Sequence, residues 1–329
     1  MKPVKWGIIS TANIGVEKVI PGMLKSAEID IVAISSRRLK TAQAAAAKLG
    51  IPRAYGSYEE MLADPEIEAV YNPLPNHLHV PLTLAAARAG KHVLCEKPMA
   101  LTAKEATQLR KVPKGIHVAE AFMVRQNPQW LEARNLARKG KIGELRAIQV
   151  FFTYFNRDPK NVRNMADIGG GGLYDIGCYP ITVSRFMFGC EPLRVIATFD
   201  RDPKFKTDRT ASGIADFGDG RQLTFVVSTQ MVPYQRVNIG GTKGRIEVEI
   251  PFNAPPDMPN RLFLQGMDMN VGEWLEMPVS DQYQKEAEAF GRVIRKKEKL
   301  VWGVEDAIQN MKIIDAFFRS EKSGKWEKP

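Results

Sequence analysis

Two stretches far apart in the chain carry side chains that together can move a proton. In His92-Val93-Leu94-Cys95-Glu96-Lys97-Pro98 a lysine closes an apolar run. In Gly169-Gly170-Gly171-Gly172-Leu173-Tyr174-Asp175-Ile176-Gly177-Cys178-Tyr179 a carboxylate and a phenol stand four residues apart behind a glycine run. A phenol with a pKa of about 10 is a poor base at neutral pH. A nearby ammonium stabilises the phenolate and lowers that value. Lys97 is the candidate for that charge, Tyr179 for the acid/base and Asp175 for the group that orients it. A helix through 175–179 would put both side chains on one face, although Pro180 fits only near a helix start. Such a set suits oxidation of a carbinol, whose hydroxyl proton must leave as hydride departs. It is useful only beside a hydride acceptor.

The elements needed to hold that acceptor are legible in the first third. Apolar runs at 4–9, 29–35, 69–72, 92–95 and 116–119 read as strands. Helical patterns lie between them, near 14–26, 40–49, 58–62, 78–89 and 102–111, and Gly50 and Gly90 give C-terminal stops. This alternation predicts a doubly wound parallel sheet. After Glu120 the texture changes. A helix at 128–138 precedes long strands at 147–154, 194–199, 213–217, 222–228, 235–240 and 245–250, and helices near 281–297 and 304–321 finish the chain. The turn Phe217-Gly218-Asp219-Gly220 favours a hairpin. The expectation is α/β: a dinucleotide-binding (Rossmann) domain over 1–122, then over 123–329 an α+β domain with an open, mostly antiparallel sheet, to which the family resemblance given below assigns substrate binding and oligomerisation.

In the first strand-to-helix turn, Ser10, Thr11, Ala12, Asn13, Ile14 and Gly15 occupy the place of a glycine-rich phosphate loop, with only the last glycine of GxGxxG kept. The second strand ends in Ser35-Ser36-Arg37-Arg38 without a carboxylate. Arginine there accepts the 2′-phosphate of NADP, whereas an acidic residue would bind the 2′-hydroxyl of NAD. The reading is therefore NADP, with Ser36, Arg37 and Arg38 as contacts and NAD as the lesser possibility. A proline-braced loop, Pro73, Leu74, Pro75 and Asn76 followed by His77 and His79, lies where such a cofactor crosses the sheet. The HxH pair lacks further ligands, so no metal site is expected. Glu96 reads as a positioning residue. Arg163 reads as a substrate contact or a structural ion pair, and Tyr154, Phe155 and Asn156 as cleft lining or core.

Composition agrees with a globular protein. Apolar residues make up 44% and charged residues 26% of the 329, the balance of a soluble protein. The formal charge of +10 is evenly spread: residues 1–122 hold 16 Lys/Arg and 11 Asp/Glu, residues 123–329 hold 31 and 26. That argues against a basic nucleic-acid-binding arm. Three cysteines without a CxxC pair and a start without a signal-peptide pattern suggest a cytoplasmic protein with reduced thiols, and no segment suggests a membrane span. None of the eight tyrosines has a lysine four residues later, and neither GxSxG nor a P-loop occurs.

Taken together, the turn at 10–15, Ser36-Arg37, Tyr55-Gly56-Ser57-Tyr58, the 72–79 segment, Glu96-Lys97-Pro98, the 170–179 segment, Asp306-Ala307 and Asn310-Met311 resemble the glucose–fructose oxidoreductase/inositol dehydrogenase (Gfo/Idh/MocA) family. The resemblance is greatest to its branch of NADP-dependent sugar and dihydrodiol dehydrogenases. It implies that Lys97 reaches the reacting carbon and the nicotinamide, and that Asp175 and Tyr179 come from the second domain to meet it. Many members have His where this chain has Tyr179. Thr182 stands where an Asp is often found, and Gln126-Asn127 replaces an expected aromatic-His pair, so substrate choice departs from that of familiar relatives. The implied activity is hydride transfer between NADP and a sugar or polyol carbinol, aldose to lactone favoured. Reduction of keto-sugars or dicarbonyls and trans-dihydrodiol oxidation are alternatives, and a non-catalytic NADP-binding sensor is the reading from another class. The open second sheet, with the resemblance, suggests a homodimer or homotetramer.

Overall fold

The computed structural model describes residues 2–329. Contacts divide the chain into two units, one made of the chain up to Met123 together with Gln282–Ile308, the other of Val124–Asp281 and Gln309–Pro329.

The first unit is built on β1 (Val4–Ile8), β2 (Ile29–Ser35), β3 (Arg53–Tyr55), β4 (Ala69–Asn72), β5 (His92–Glu96) and β6 (Val118–Ala121). Their order is β3-β2-β1-β4-β5-β6 and every neighbouring pair is parallel. This is the doubly wound order, with its switch point between β1 and β4, where the crevice for a ligand opens beyond the carboxyl ends of the strands. The strands are apolar because helices cover both faces. Trp6 and Ile8 of β1 are fully buried, and Trp6 packs on Phe290 with ring centroids 5.9 Å apart.

That phenylalanine belongs to the helix Gln282–Ile294. A linear partition at 122/123 leaves this helix in the second domain, but Ala287, Ala289, Phe290 and Val293 join the core of the first sheet. Its amphipathic face needs an apolar partner, and the partner lies nearly 300 residues upstream in sequence terms. Strand β3 was not foreseen either. Its three half-buried residues are too few to show a period.

The second unit holds β7 (Leu145–Phe155), β8 (Arg194–Arg201), β9 (Asp208–Asp216), β10 (Gln222–Ser228), β11 (Gln230–Gly241), β12 (Arg245–Val248), β13 (Arg261–Gln265) and β14 (Gly272–Glu276). They form one sheet in the order β14-β13-β12-β11-β7-β10-β9-β8, antiparallel except where β7 meets β10. The expected hairpin joins β9 to β10, and Gly218, Asp219 and Gly220 all take positive φ in its turn. One face of the sheet carries the core, including Val150, Phe152, Leu223, Phe225, Val237 and Ile239. Strands β13 and β14 were missed because the proline-rich 251–260 segment before them reads as the end of regular structure.

Two helices open with a π-helical turn, Gly15–Val19 before Pro21 and Leu173–Gly177 before Pro180. Neither proline has an N–H to give the carbonyl four residues back, which removes one rung of the α ladder at the place where each helix is widened. The first of these turns starts at Gly15, the last residue of the candidate phosphate turn, and the second carries Asp175, with Tyr179 just beyond it.

Candidate active site

In the first unit, the carboxyl ends of β1, β2, β4 and β5 point the same way, so the segments that follow them share one edge of the sheet. After β1, Ser10 adopts φ +75°. It is a left-handed residue at the position where the fingerprint has its first glycine, so the tight turn is made without one. The Ser10 hydroxyl accepts the Ala12 N–H at 3.3 Å, which helps hold that backbone. Thr11, Ala12 and Ile14 are half-buried, Asn13 is exposed, and Gly15 lies buried against Tyr71 and Pro73.

At the end of β2, the Ser35 hydroxyl ties back to the Ile8 carbonyl and the Ser36 N–H to Tyr55. Arg37 and Arg38 are exposed, and among the described residues neither forms an ion pair. Two uncommitted guanidinium groups beside a left-handed turn fit a phosphorylated dinucleotide.

The loop after β4 is held from below. Asn72 accepts the Leu74 N–H at 3.3 Å and donates to the His79 carbonyl and to Thr83. The buried His79 ring spans from the Leu74 carbonyl (2.6 Å) to the Pro98 carbonyl (2.7 Å), joining the 73–76 loop to the segment after Lys97. Burial lowers its pKa to about 4 and outweighs the two carbonyls, which favour a cation. His79 therefore acts from beneath the loop, while Pro75, Asn76 and His77 are half-buried at its surface. Glu96 accepts the Tyr71 hydroxyl at 2.7 Å and the Lys97 amide at 3.3 Å. Burial, and then Glu96, hold the Tyr71 phenol and the Glu286 carboxyl well above their ordinary ranges. Neither Tyr71 nor Glu286 was foreseen, because a buried tyrosine in a strand and a glutamate in an amphipathic helix carry no motif. The Lys97–Pro98 peptide is cis, and the lysine is half-buried.

In the second unit, the glycine run makes close backbone crossings possible. A Cβ at Gly170 would lie 2.6 Å from the Met165 carbonyl oxygen and 2.7 Å from that of Arg163. One at Gly171, where φ is +123°, would lie 2.0 Å from Oδ1 of Asp208. Behind the run, the π turn Leu173–Gly177 and the helix Cys178–Phe188 carry Asp175 and Tyr179.

Asp175, with 12% of its side chain exposed, receives the Tyr154 hydroxyl (2.6 Å) and Nε of Arg163 (2.9 Å) on the same oxygen. Asp175 raises the Arg163 pKa, and burial followed by Asp175 raises that of Tyr154. Arg163 thus makes the ion pair that was one of its two expected roles, and keeps 39% of its side chain exposed. Tyr179 is 6% exposed, its ring clamped by Phe252 (5.0 Å between centroids) and Phe152 (5.9 Å). Phe252 in turn stacks on Phe152 and Trp130. This aromatic packing fixes the phenol's plane, as a positioned acid/base requires.

Other expected lining residues have structural partners. Asn156 organises the following loop by accepting from the Asp158 amide and the Asn164 side chain, while Phe155 is exposed. Asn127 caps the helix Pro128–Arg138, and Thr182 turns inward to Asn310 at 3.2 Å. Gln126 is half-buried beside that cap. Among the described residues no cluster of His, Cys, Asp and Glu is arranged to hold a metal ion, and no helix is long and apolar enough to cross a membrane. Cys95 and Cys178 are buried, and burial pushes the Cys95 thiol far up.

Comparison with known proteins gives a consistent picture. Residues 4–119 match the model of an oxidoreductase family with an NAD-binding Rossmann fold, and residues 130–247 match the GFO/IDH/MocA C-terminal domain. The chain is 48% identical to an uncharacterized oxidoreductase of Rhizobium meliloti, over 99% of both chains. It is 34% identical to a D-xylose 1-dehydrogenase (NADP(+)) of Haloferax volcanii, over 97% of this chain and 98% of that one. In structure it is similar to a 3-ketoreductase of Actinomadura kijaniata in complex with NADP and TDP-benzene, with a TM-score of 0.90 and 26% identity over 97% of this chain and 98% of that one.

Proposed function

The chain belongs to the Gfo/Idh/MocA oxidoreductase family, and from that membership we propose that it is an NADP-dependent enzyme exchanging a hydride with a sugar or polyol carbinol, oxidation of an aldose to its lactone being the favoured direction. The observation that carries this reading is the fixed carboxylate of Asp175, held by Tyr154 and Arg163 one π turn before a ring-clamped Tyr179. NADP, when bound, supplies the hydride acceptor. Ser10, Thr11, Ala12, Asn13, Ile14 and Gly15 form the pyrophosphate turn, Ser36, Arg37 and Arg38 take the 2′-phosphate, and the loop of Pro73, Leu74, Pro75 and Asn76, braced by His79, bounds the site.

Tyr179, as the phenolate, accepts the carbinol proton at its oxygen and becomes the phenol. Lys97 acts on the same substrate, lowering the phenol's pKa and hydrogen-bonding the reacting oxygen. Glu96 keeps the Lys97 backbone in place, and Asp175 orients Tyr179 and, with Tyr154 and Arg163, contacts the substrate. Reduction of a keto-sugar is the same machinery run backwards, and the likeness to a 3-ketoreductase favours it as the second reading. Ile214 on β9, Val232 and Tyr234 on β11 and Trp274 on β14 remain exposed, which supports assembly of like chains through the eight-stranded sheet.

The reading is tested by following reduced nicotinamide across a panel of aldoses with NADP and with NAD. Turnover of at least one aldose with NADP is expected, and cofactor binding without turnover of any would favour a sensor. Arg37→Ala is expected to weaken NADP by about tenfold to a hundredfold, the scale of one charge-assisted contact, while moving NAD little. Equal loss for both cofactors would remove Arg37 from the phosphate site.

A further inference from the structure

Asp208, the first residue of β9, is 1% exposed and was not singled out by any sequence motif. Its Oδ2 accepts the N–H of Leu173 at 2.6 Å, at the start of the π turn. Its Oδ1 fills the space that a side chain at Gly171 would take. Gly171 is itself a junction. Its N–H donates to the Arg163 carbonyl at 2.9 Å, and its carbonyl accepts the Asp175 N–H at 3.0 Å. Arg163 then returns through Nε to the Asp175 carboxylate. Gly171, Asp175 and Arg163 thus form a closed loop of hydrogen bonds and one ion pair, and Asp208 is attached to it by its packing on Gly171 and its bond to Leu173. Burial pushes the Asp208 carboxyl up to about 6, so near neutral pH it is kept as an anion at a cost in stability, which a purely structural apolar side chain would avoid.

We infer that Asp208 is a positioning residue for the reaction: by gripping Leu173 and seating Gly171, it sets where the Asp175 carboxylate and the Tyr179 phenol stand. This rests on the role proposed above for Tyr179. It assigns Asp208 no contact with substrate, and it explains why position 171 holds glycine rather than any other small residue.

The test compares the full-length parent with Asp208→Ala, Asp208→Asn, Gly171→Ala and Tyr179→Phe. It measures kcat, KM for the aldose, Kd for NADP, and amide hydrogen exchange over residues 171–179. Asp208→Ala and Gly171→Ala are expected to lower kcat by about tenfold or more with NADP affinity held within about twofold, the pattern of misplaced chemistry rather than lost binding. Asn keeps an acceptor for the Leu173 amide, so Asp208→Asn should recover most of that loss. Exchange over 171–179 should quicken in the Ala variant and much less in the Asn variant. Parent kcat in folded Asp208→Ala, or a fall that only follows the folded fraction, would overturn the inference, as would unchanged exchange over 171–179. Should Asp208→Ala fail to fold, Asp208→Asn against Gly171→Ala decides by the same criteria. A Tyr179→Phe variant as active as the parent would instead remove the reading of Tyr179, and the exchange data would still judge the grip of Asp208 on the turn.

Discussion

Tyr179→Phe is expected to lower kcat by about 10²- to 10⁴-fold, the usual contribution of a positioned general acid/base, while NADP binds as in the parent. The substitution removes one oxygen and leaves the ring. That ring is what the packing holds: Phe252 and Phe152 clamp it, and Trp130, anchored through Nε1 to the Pro251 carbonyl at 2.7 Å, backs Phe252. A buried Phe in the same place keeps those contacts, so the fold and the Asp175–Arg163 pair are expected to persist. The loss should therefore fall on kcat, with little change in thermal stability. A rate equal to the parent's would show that another group takes the proton.

Lys97→Ala is expected to cost about two orders of magnitude or more in turnover, again within the range of acid–base groups. Without an ammonium nearby, a phenol stays at about 10 and is almost wholly protonated at neutral pH. The variant should regain part of its rate as pH rises, because the phenol then ionises without the ammonium's help. Folding is expected to survive, since the Lys97 backbone contributes its amide to Glu96 and the neighbouring Pro98 carbonyl is held by His79. An unchanged rate would take Lys97 out of the mechanism.

Much of this was legible in the sequence, for identifiable reasons. Strands β1, β2, β4 and β5 are buried on both faces and read as apolar runs between helices, so the parallel sheet followed from periodicity. The NADP reading was drawn from Ser35-Ser36-Arg37-Arg38, whose arginines stand exposed at the end of β2. Other features were hidden because their cause is long-range. Phe290 gives no sign in its own helix that its partner is Trp6, so the return of Gln282–Ile308 to the first unit could not be read. The left-handed Ser10 looks like any serine, although its backbone does a glycine's work. Asp208 opens a strand that had been expected to start only at Gly213, and its partners Gly171 and Leu173 lie more than thirty residues before it. The glycine run itself was visible. What it makes room for was not.

In the proposed reaction hydride moves between a carbinol carbon and NADP under the control of Tyr179. An aldose carrying deuterium at its anomeric carbon puts this to the test, with the label followed into the reduced nicotinamide. The expected result is deuterium on the nicotinamide ring with the parent protein and very little with Tyr179→Phe at equal cofactor saturation. Saturating NADP binding with no label transferred from any aldose or polyol would contradict it.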